Sequence, residues 1–300
     1  MTSWPFLDTV AVLAIGKRLS LLLAAVAAYC LAAGLIVWWW EIRVPDWGSA
    51  ASLINTVILG MLMSFRNRAA YDRWWEARGL WGKLTNDSRN LATKIAAFVP
   101  AEAVGRAQAG DLLVAFAEAL KRQLRDGALR LQDLPGFEQD EATPPHVPLY
   151  LAGRLYGLLA EWRRTGQIDD AVLWIFDRHL RGLLDVCGAC EKVRNTPLSG
   201  SYKTLLRTGL VLNIAAEPWL TMPEMGFWGV PVFVLVCFFL LGVELIDTVV
   251  EEPFGRERDD LDLDRYCRTI RDNVGAVLSA SAVLTCNEQS ATILIGDEKR

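Results

Sequence analysis

The chain of 300 residues is poor in the features on which most enzymes and disulfide-linked proteins depend. Its six cysteines are too few for a small disulfide scaffold, and a net charge of -4 removes the main electrostatic argument for nucleic-acid binding. It has no glycine-rich phosphate loop, no HExxH zinc motif and no GxSxG nucleophile motif. We therefore predict that the protein is not an enzyme, that it has no catalytic residue, metal site or cofactor, and that it binds no nucleic acid.

The few residues that could take part in catalysis, redox chemistry or metal binding are interpreted as structural residues. Cys187 and Cys190 form a CGAC motif, but neither the βαβ pattern of a thioredoxin-like site nor the second cysteine pair of a zinc site accompanies them. We interpret the pair as small residues on a helix. Only two histidines are present. His146 falls in a loop, and His179 falls in a predicted helix, where a lone histidine is more often a packed or surface residue than a catalyst.

Apolar residues, in contrast, are abundant: 52% of the chain is hydrophobic, with 12 tryptophans. Residues 19–40 form an uncharged run of 22 residues, which as a helix is roughly 33 Å long and crosses a bilayer. Residues 48–65, 204–222 and 225–243 give three more candidate spans. The run at 48–65 contains serine, asparagine and threonine, which lipid would penalise, so we expect it to face other helices or a lumen.

The distribution of positive charge predicts the orientation of these four spans. Lys17 and Arg18 precede the first span, and arginines follow the second and the fourth, whereas the loop between the first two spans has only Arg43. Because cytoplasmic loops carry the excess of Lys and Arg, both termini and the region 66–203 are expected in the cytoplasm.

The rest of the chain has few strand signals and repeated helical patterns, so the predicted fold class is all-α. Apolar spacing and proline breaks predict helices over 66–98, 102–131, 147–165 and 168–195. Nothing interrupts the chain between the second span and the 66–98 helix, so the two can be continuous. The apolar stretch 274–284 is a candidate helix that could contact a neighbouring subunit. The predicted organisation is an N-terminal part with two spans (1–66), a cytoplasmic helical region (67–203), two further spans (204–250) and a cytoplasmic C-terminal segment (251–300).

One apolar row in the second span is a candidate pore lining. Val57, Met61 and Phe65 are four residues apart, which on a helix gives a nearly straight row covering roughly 12 Å. If several copies surround an axis, this row forms a hydrophobic constriction that conducts when wet and blocks when dry. Packing of the same row against lipid or a neighbouring helix is the competing interpretation.

Three ordered motifs resemble those of the bestrophin family of ion channels, in its bacterial branch. They are SFRNRAAYDRWWEARGLW at Ser64 to Trp81, CEKVRNTP at Cys190 to Pro197, and EPFGRERDDL at Glu252 to Leu261. The resemblance covers roughly residues 10–270. It implies a homopentameric channel with four membrane helices and a large helical cytoplasmic region in each subunit. It also implies an apolar neck lined by the second membrane helix, at positions that match Val57, Met61 and Phe65.

The resemblance implies two further features. A second constriction at the cytoplasmic exit is matched best by Ile175, with Leu173 or Phe176 as alternatives and a core position for Ile175 as another. The acidic clasp that binds calcium in animal members is matched in part by Glu252, Glu257 and Asp260. Val249, however, stands where the animal pattern has an amide, so calcium gating is not predicted.

The functional prediction is a homopentameric channel for monovalent ions in the bacterial plasma membrane, with a hydrophobic gate. Family resemblance favours chloride, whereas the net charge mildly favours a cation such as sodium. The alternative is a membrane-anchored scaffold or interaction protein that conducts nothing.

Overall fold

The computed structural model describes residues 9–43, 48–127, 129–134, 136–137, 144–257 and 260–297. Within these ranges the chain forms helices and no strand, so the predicted all-α class is confirmed. The α-helices of the described part are α1 (Thr9–Trp39), α2 (Gly48–Phe98), α3 (Arg106–Asp126), α4 (Val147–Arg164), α5 (Asp170–Asn195), α6 (Gly200–Met225), α7 (Gly229–Val250) and α8 (Leu263–Asp297). Two short 3-10 turns lie at Leu131–Asp133 and Gly226–Trp228.

Helix α2 runs without a break from the second predicted span into the predicted 66–98 helix. Helix α3 is shorter than the predicted 102–131, and glycines explain both ends. Gly105 precedes it with φ 86°, and Gly127 follows it with φ 78° and donates its N–H to the Gln123 carbonyl oxygen at 3.2 Å. Because glycine adopts positive φ at little cost, these positions stop the helix where apolar spacing alone would extend it.

The chain divides into two compact units, and α2 contributes residues to both. The first unit contains Met1–Trp74, Pro197–Pro253 and Glu257–Asp260, and the second contains Trp75–Thr196, Phe254–Arg256 and Leu261–Arg300.

In the first unit, α1 packs against α6 and α7. Their shared core is formed by six buried apolar side chains: Val26, Cys30, Val37, Met222, Phe233 and Cys237. A smaller cluster joins Leu59 and Met63 of α2 to Leu210 of α6. Tyr29 and Trp219 add a polar link, since the Trp219 indole N–H donates to the Tyr29 hydroxyl at 2.8 Å.

Among the described residues, two stretches are long and apolar enough to cross a membrane. Gly16–Trp39 has a mean hydropathy of 2.4, and Gly200–Thr248, which includes α6 and α7, has 2.5. The core helix of a soluble protein would be mostly buried. In the most apolar 18 residues of these two stretches, however, only 28% and 17% are buried. The described part of 48–65 is not among the stretches that are long and apolar enough to cross a membrane. The number of four spans therefore stays a prediction.

The second unit is built around α3, which packs against α4, α5 and α8. Leu112, Phe116 and Leu120 of α3 are fully buried, as are Trp81 of α2 and Trp162 of α4. Side-chain caps fix the starts of the neighbouring helices. The Asp169 carboxylate accepts the Val172 N–H at the start of α5, and the His146 ring accepts the Leu149 N–H at the start of α4.

Candidate functional site

The predicted neck residues form an exposed row on α2. Val57, Met61 and Phe65 are 60%, 59% and 54% exposed, a high value for large apolar side chains. Their helix is continuous through this segment, so the four-residue spacing gives a row roughly 12 Å long on one side of α2. Leu53 and Ile54 are exposed on the same side one turn earlier.

The opposite side of α2 is the one that packs within the first unit. Leu59, Met63, Arg66 and Ala70 are buried there. At about 100° per residue, the centre of this buried face lies roughly half a turn from the centre of the exposed row. The row therefore makes no contribution to the described core of its own unit, and its side chains are available to another surface.

Polar residues of the same span find partners on α6. The Ser52 hydroxyl donates to Glu217 Oε2 at 2.5 Å, and the Thr56 hydroxyl donates to Glu217 Oε1 at 3.2 Å. Asn213 also donates to Oε1, at 3.4 Å. Ser52 and Thr56 therefore face another helix, as expected. Their hydroxyl groups supply hydrogen-bond donors that the buried Glu217 carboxylate requires.

At the end of the row, a buried ion pair attaches α2 to α7. Arg66 is fully buried and forms an ion pair with Glu244 of α7, whose carboxylate also pairs with Arg207 of α6 at 2.8 Å. About two turns further along α2, the Arg73 side chain donates to the Glu251 carbonyl oxygen at 3.3 Å. Sequence reasoning missed Glu244, although a carboxylate near the end of an apolar run is a recognisable sign of a paired buried charge.

The residues matched to the calcium clasp do not form a ligand cluster in the described part of the chain. Glu252 is exposed, and Asp260 Oδ2 accepts the Glu257 backbone N–H at 2.6 Å as part of a turn. The grouping of metal-ligating side chains found among the described residues lies elsewhere and consists of His146, Cys187 and Glu191.

The three positions considered for the exit constriction differ in burial. Ile175 near the start of α5 is 38% exposed, whereas Phe176 is fully buried in the core of the second unit. Leu173 is half-buried and lines a surface cleft with Tyr156 and Trp174. Of these residues, Ile175 is the one whose side chain is open to another surface without belonging to that cleft.

A charged cluster that sequence reasoning did not find lies next to Ile175. The Lys94 ammonium group is 3.3 Å from the Ile175 carbonyl oxygen and 2.7 Å from His179 Nε2. The other ring nitrogen of His179 is 2.9 Å from Asp87 Oδ1. Burial, assisted by the charge of Arg178, lowers the pKa of Lys94 from its usual value. Residues far apart in sequence form this cluster, so no local motif indicates it.

Cys187 and Cys190 are both buried on α5, as small apolar residues on a helix would be. Burial, with a smaller contribution from Glu191, raises the pKa of Cys187 to about 12, and burial also raises the pKa of Cys190. Neither thiol has the depressed pKa that marks a reactive cysteine.

These features define an all-helical protein, in its described part, with long, poorly buried apolar helices and an exposed apolar row on α2. The sequence model of the bacterial/fungal bestrophin family matches residues 6–276. The chain therefore belongs to the bestrophin family and is a membrane protein, and the resemblance drawn from its three motifs is confirmed.

Individual relatives agree with this assignment. A voltage-dependent anion channel-forming protein of Ralstonia nicotianae is 35% identical over 252 residues, which cover 79% of each chain. A protein of the same description from Nostoc sp. is 32% identical over 258 residues, or 82% of this chain and 83% of the relative. These relatives are named as channel-forming proteins, which confirms that the chain is not an enzyme.

Solved structures confirm the fold. A bacterial bestrophin homologue from Klebsiella pneumoniae superposes with a TM-score of 0.80 and 24% identity, over 86% of this chain and 97% of that one.

Proposed function

We propose that the protein is an anion channel in which five identical subunits surround one axial pore. The observation that carries this proposal is the exposed row of Val57, Met61 and Phe65, which lies on the side of α2 that its own unit leaves uncovered. A symmetric ring of α2 helices would cover the row and create an apolar throat. Closed rotational symmetry is the usual arrangement of identical membrane subunits, because it buries the same face in every copy.

The neck would act as the gate. A throat lined by apolar side chains conducts when it is filled with water and blocks ions when it dries, without any charged ring. Ile175 would form a second, narrower opening at the cytoplasmic exit. In this arrangement, Arg66 and Glu244 hold the end of the neck segment in position through their buried ion pair.

The topology that goes with this function has four spans per subunit and both termini in the cytoplasm, in the bacterial inner membrane. The span at 48–65 would be the pore helix, and a lumen explains why it is less apolar than the other spans. The cluster of Ser52, Thr56 and Glu217 supports an inner position, since these groups are satisfied by protein rather than exposed to lipid.

Chloride is the proposed physiological ion. The two relatives described above are named as anion channel-forming proteins, and Lys94 would place positive charge beside the exit opening. The net charge of -4 per chain favours sodium by its sign, but the position of a charge relative to the pore matters more than the sum.

Reversal potentials in asymmetric potassium chloride test this proposal with the purified full chain in planar bilayers. We expect single-channel currents with a reversal potential near the chloride equilibrium potential. A reversal near the potassium equilibrium potential would instead assign a cation channel. Complete absence of current from protein that runs as a monodisperse oligomer would favour the non-conducting scaffold. The mass of the detergent-solubilised particle measures the number of subunits, and any value other than five copies would overturn the pentamer.

A further inference from the structure

Three potential metal ligands meet in the second unit. His146 Nε2 lies 2.7 Å from Glu191 Oε1, and the Cys187 sulfur lies 3.8 Å from the same oxygen. The nitrogen, sulfur and oxygen atoms are all within 4.8 Å of one another. Gln123 of α3 borders the group, with its amide nitrogen 3.2 Å from His146 Nε2 and hydrogen-bonded to Glu191 Oε1.

The fold brings these residues together by regular means. Cys187 and Glu191 are four residues apart on α5, so they project from the same face on successive turns. His146 is the N-cap of α4, where its Nδ1 accepts the Leu149 N–H at 3.1 Å. Each ligand therefore sits on a helix or at a fixed helix start, and the Cys187 side chain is buried while His146 and Glu191 remain open to solvent in part. This gives a site with a solvent-facing entry and a buried sulfur.

We propose that His146, Cys187 and Glu191 bind a thiophilic divalent cation of the zinc type, with water as a fourth ligand. Imidazole nitrogen, thiolate sulfur and carboxylate oxygen are the ligands that zinc takes in proteins, in tetrahedral geometry. Ligand atoms around one zinc ion lie about 3.5 Å apart, so movements of about 1 Å would complete the set. Calcium and magnesium require oxygen ligands and do not suit a sulfur donor.

No metal site is predicted from the sequence, because zinc sites are recognised there from closely spaced cysteine pairs. Here the partner of Cys187 is not Cys190 but a histidine 41 positions earlier in the sequence and a glutamate one helical turn later. This inference concerns the second unit alone and stands whether or not the protein conducts ions.

Binding must displace protons from two of the ligands. The buried Cys187 thiol loses its proton when its sulfur binds a metal ion, because the thiolate is the form that coordinates. His146 accepts a hydrogen bond at Nδ1, so its Nε2 carries the proton and donates it to Glu191. A metal ion at Nε2 displaces that proton to Nδ1, so the neutral ring gives up the hydrogen bond from Leu149 and itself releases no proton.

The test uses the purified full chain in detergent, with Co²⁺ as a spectroscopic probe and Zn²⁺ alone as the titrant. We expect one ion per chain, a thiolate-to-cobalt charge-transfer band and displacement of that band by Zn²⁺. Cys187→Ser should abolish the band and weaken Zn²⁺ binding by at least about 100-fold. Cys190→Ser is the matched control, because it removes the other buried thiol of the same motif and should leave the band in place.

His146→Asn provides a second variant at a partly exposed position, and it should weaken Zn²⁺ binding without loss of the thiolate band at saturating Co²⁺. The proposal is overturned if the wild-type chain gives no thiolate band, or if the band survives in Cys187→Ser and disappears in Cys190→Ser. The first of these outcomes is decided on the unmodified protein, so misfolding of a variant cannot obscure it.

Discussion

The side-chain nitrogen of Lys94 lies 2.7 Å from Nε2 of His179, and with Lys94 charged this contact fixes the tautomer of the ring. An ammonium group only donates, so Nε2 must accept. Nδ1 then carries the ring proton and donates it to Asp87 at 2.9 Å. The ring of His179 therefore connects Asp87 to Lys94, whose side chain is held against the Ile175 carbonyl oxygen, next to the proposed exit opening.

Replacement of Lys94 by glutamine should make the channel less selective for anions. If five copies of Lys94 surround the exit, the substitution removes a ring of five positive charges, and such rings attract anions into a pore. We expect the chloride-to-potassium permeability ratio to fall by about 3-fold or more, since local charge changes ion concentration in a narrow opening by such factors. Lys83→Gln is the control, because Lys83 is an exposed lysine of the same helix and its loss should leave the ratio unchanged.

Selectivity should also depend on pH through Lys94. Burial lowers the pKa of this lysine, so it loses its charge at a lower pH than an ordinary lysine does. Anion preference should then decline as the pH is raised above neutrality, before exposed lysines titrate. Reversal potentials measured over this alkaline range check the prediction. Lys94→Gln should remove the dependence, and a wild-type channel with no change in selectivity would argue against a role for Lys94 at the exit.

Truncation of the neck should raise conductance. Met61→Ala and Phe65→Ala each shorten a side chain that the first unit leaves exposed, so little of its own core is lost. A wider throat stays wet for longer, which should increase the single-channel conductance or open probability. Leu21→Ala is a suitable control, because Leu21 is also an exposed apolar residue, on α1, and would face lipid. Unchanged currents in both neck variants would contradict the assignment of the neck.

The sequence predicted the helical fold well because the signals for it are local. Apolar spacing defines α4 and α5 to within a few residues, and the absence of a helix breaker between 65 and 66 correctly predicted a continuous α2. The exceptions are α3, which its flanking glycines make shorter at both ends, and α8, which begins at Leu263 rather than near 274. The first two turns of α8 are rich in charged residues, so an apolar run alone does not reveal them.

The sites were harder to predict, since they depend on distant contacts. The row on α2 is a pattern within one helix and was visible in the sequence, but its exposure depends on which face the neighbouring helices cover. The clusters around Lys94 and Cys187 join residues more than 40 positions apart, and His146 and His179 each looked like an isolated histidine. Charge partners of this kind leave no periodicity and no short motif.

Gly182→Ala should destabilise the second unit by disturbing the cluster of Asp87, His179 and Lys94. A Cβ atom at this position of α5 would lie 2.5 Å from Asp87 Oδ2 and 3.0 Å from its Cγ, so the carboxylate that binds His179 would have to move. Overpacking of this kind costs about 1–3 kcal/mol. Gly188→Ala on the same helix meets no atom within 4 Å and should stabilise the protein by about 1 kcal/mol. Thermal unfolding of both variants in detergent measures the difference, and equal shifts would contradict the close contact.

The packing of α8 against α3 should weaken at low pH, because protonation of Asp264 removes a charge that binds the two helices together. Its carboxylate accepts hydrogen bonds from Lys121 and Arg125, each at 2.8 Å, and these donors lower its pKa from 3.8 to about 2. A carboxylate with a lowered pKa contributes stability that is fully present above its unfolded pKa and lost as the pH falls through the folded one. The residue is half-exposed, so solvent screening reduces the contribution to about 1 kcal/mol.

Asp264→Asn should therefore lower the free energy of unfolding by about 1 kcal/mol at pH 7, and the difference from the wild type should shrink between about pH 4 and pH 2. Denaturant unfolding of the detergent-solubilised protein at several pH values measures both quantities. Asp272→Asn, an exposed position on the same helix, should have little effect at any pH. A constant difference between Asp264→Asn and the wild type down to pH 2 would mean that the carboxylate acts through packing rather than through its charge.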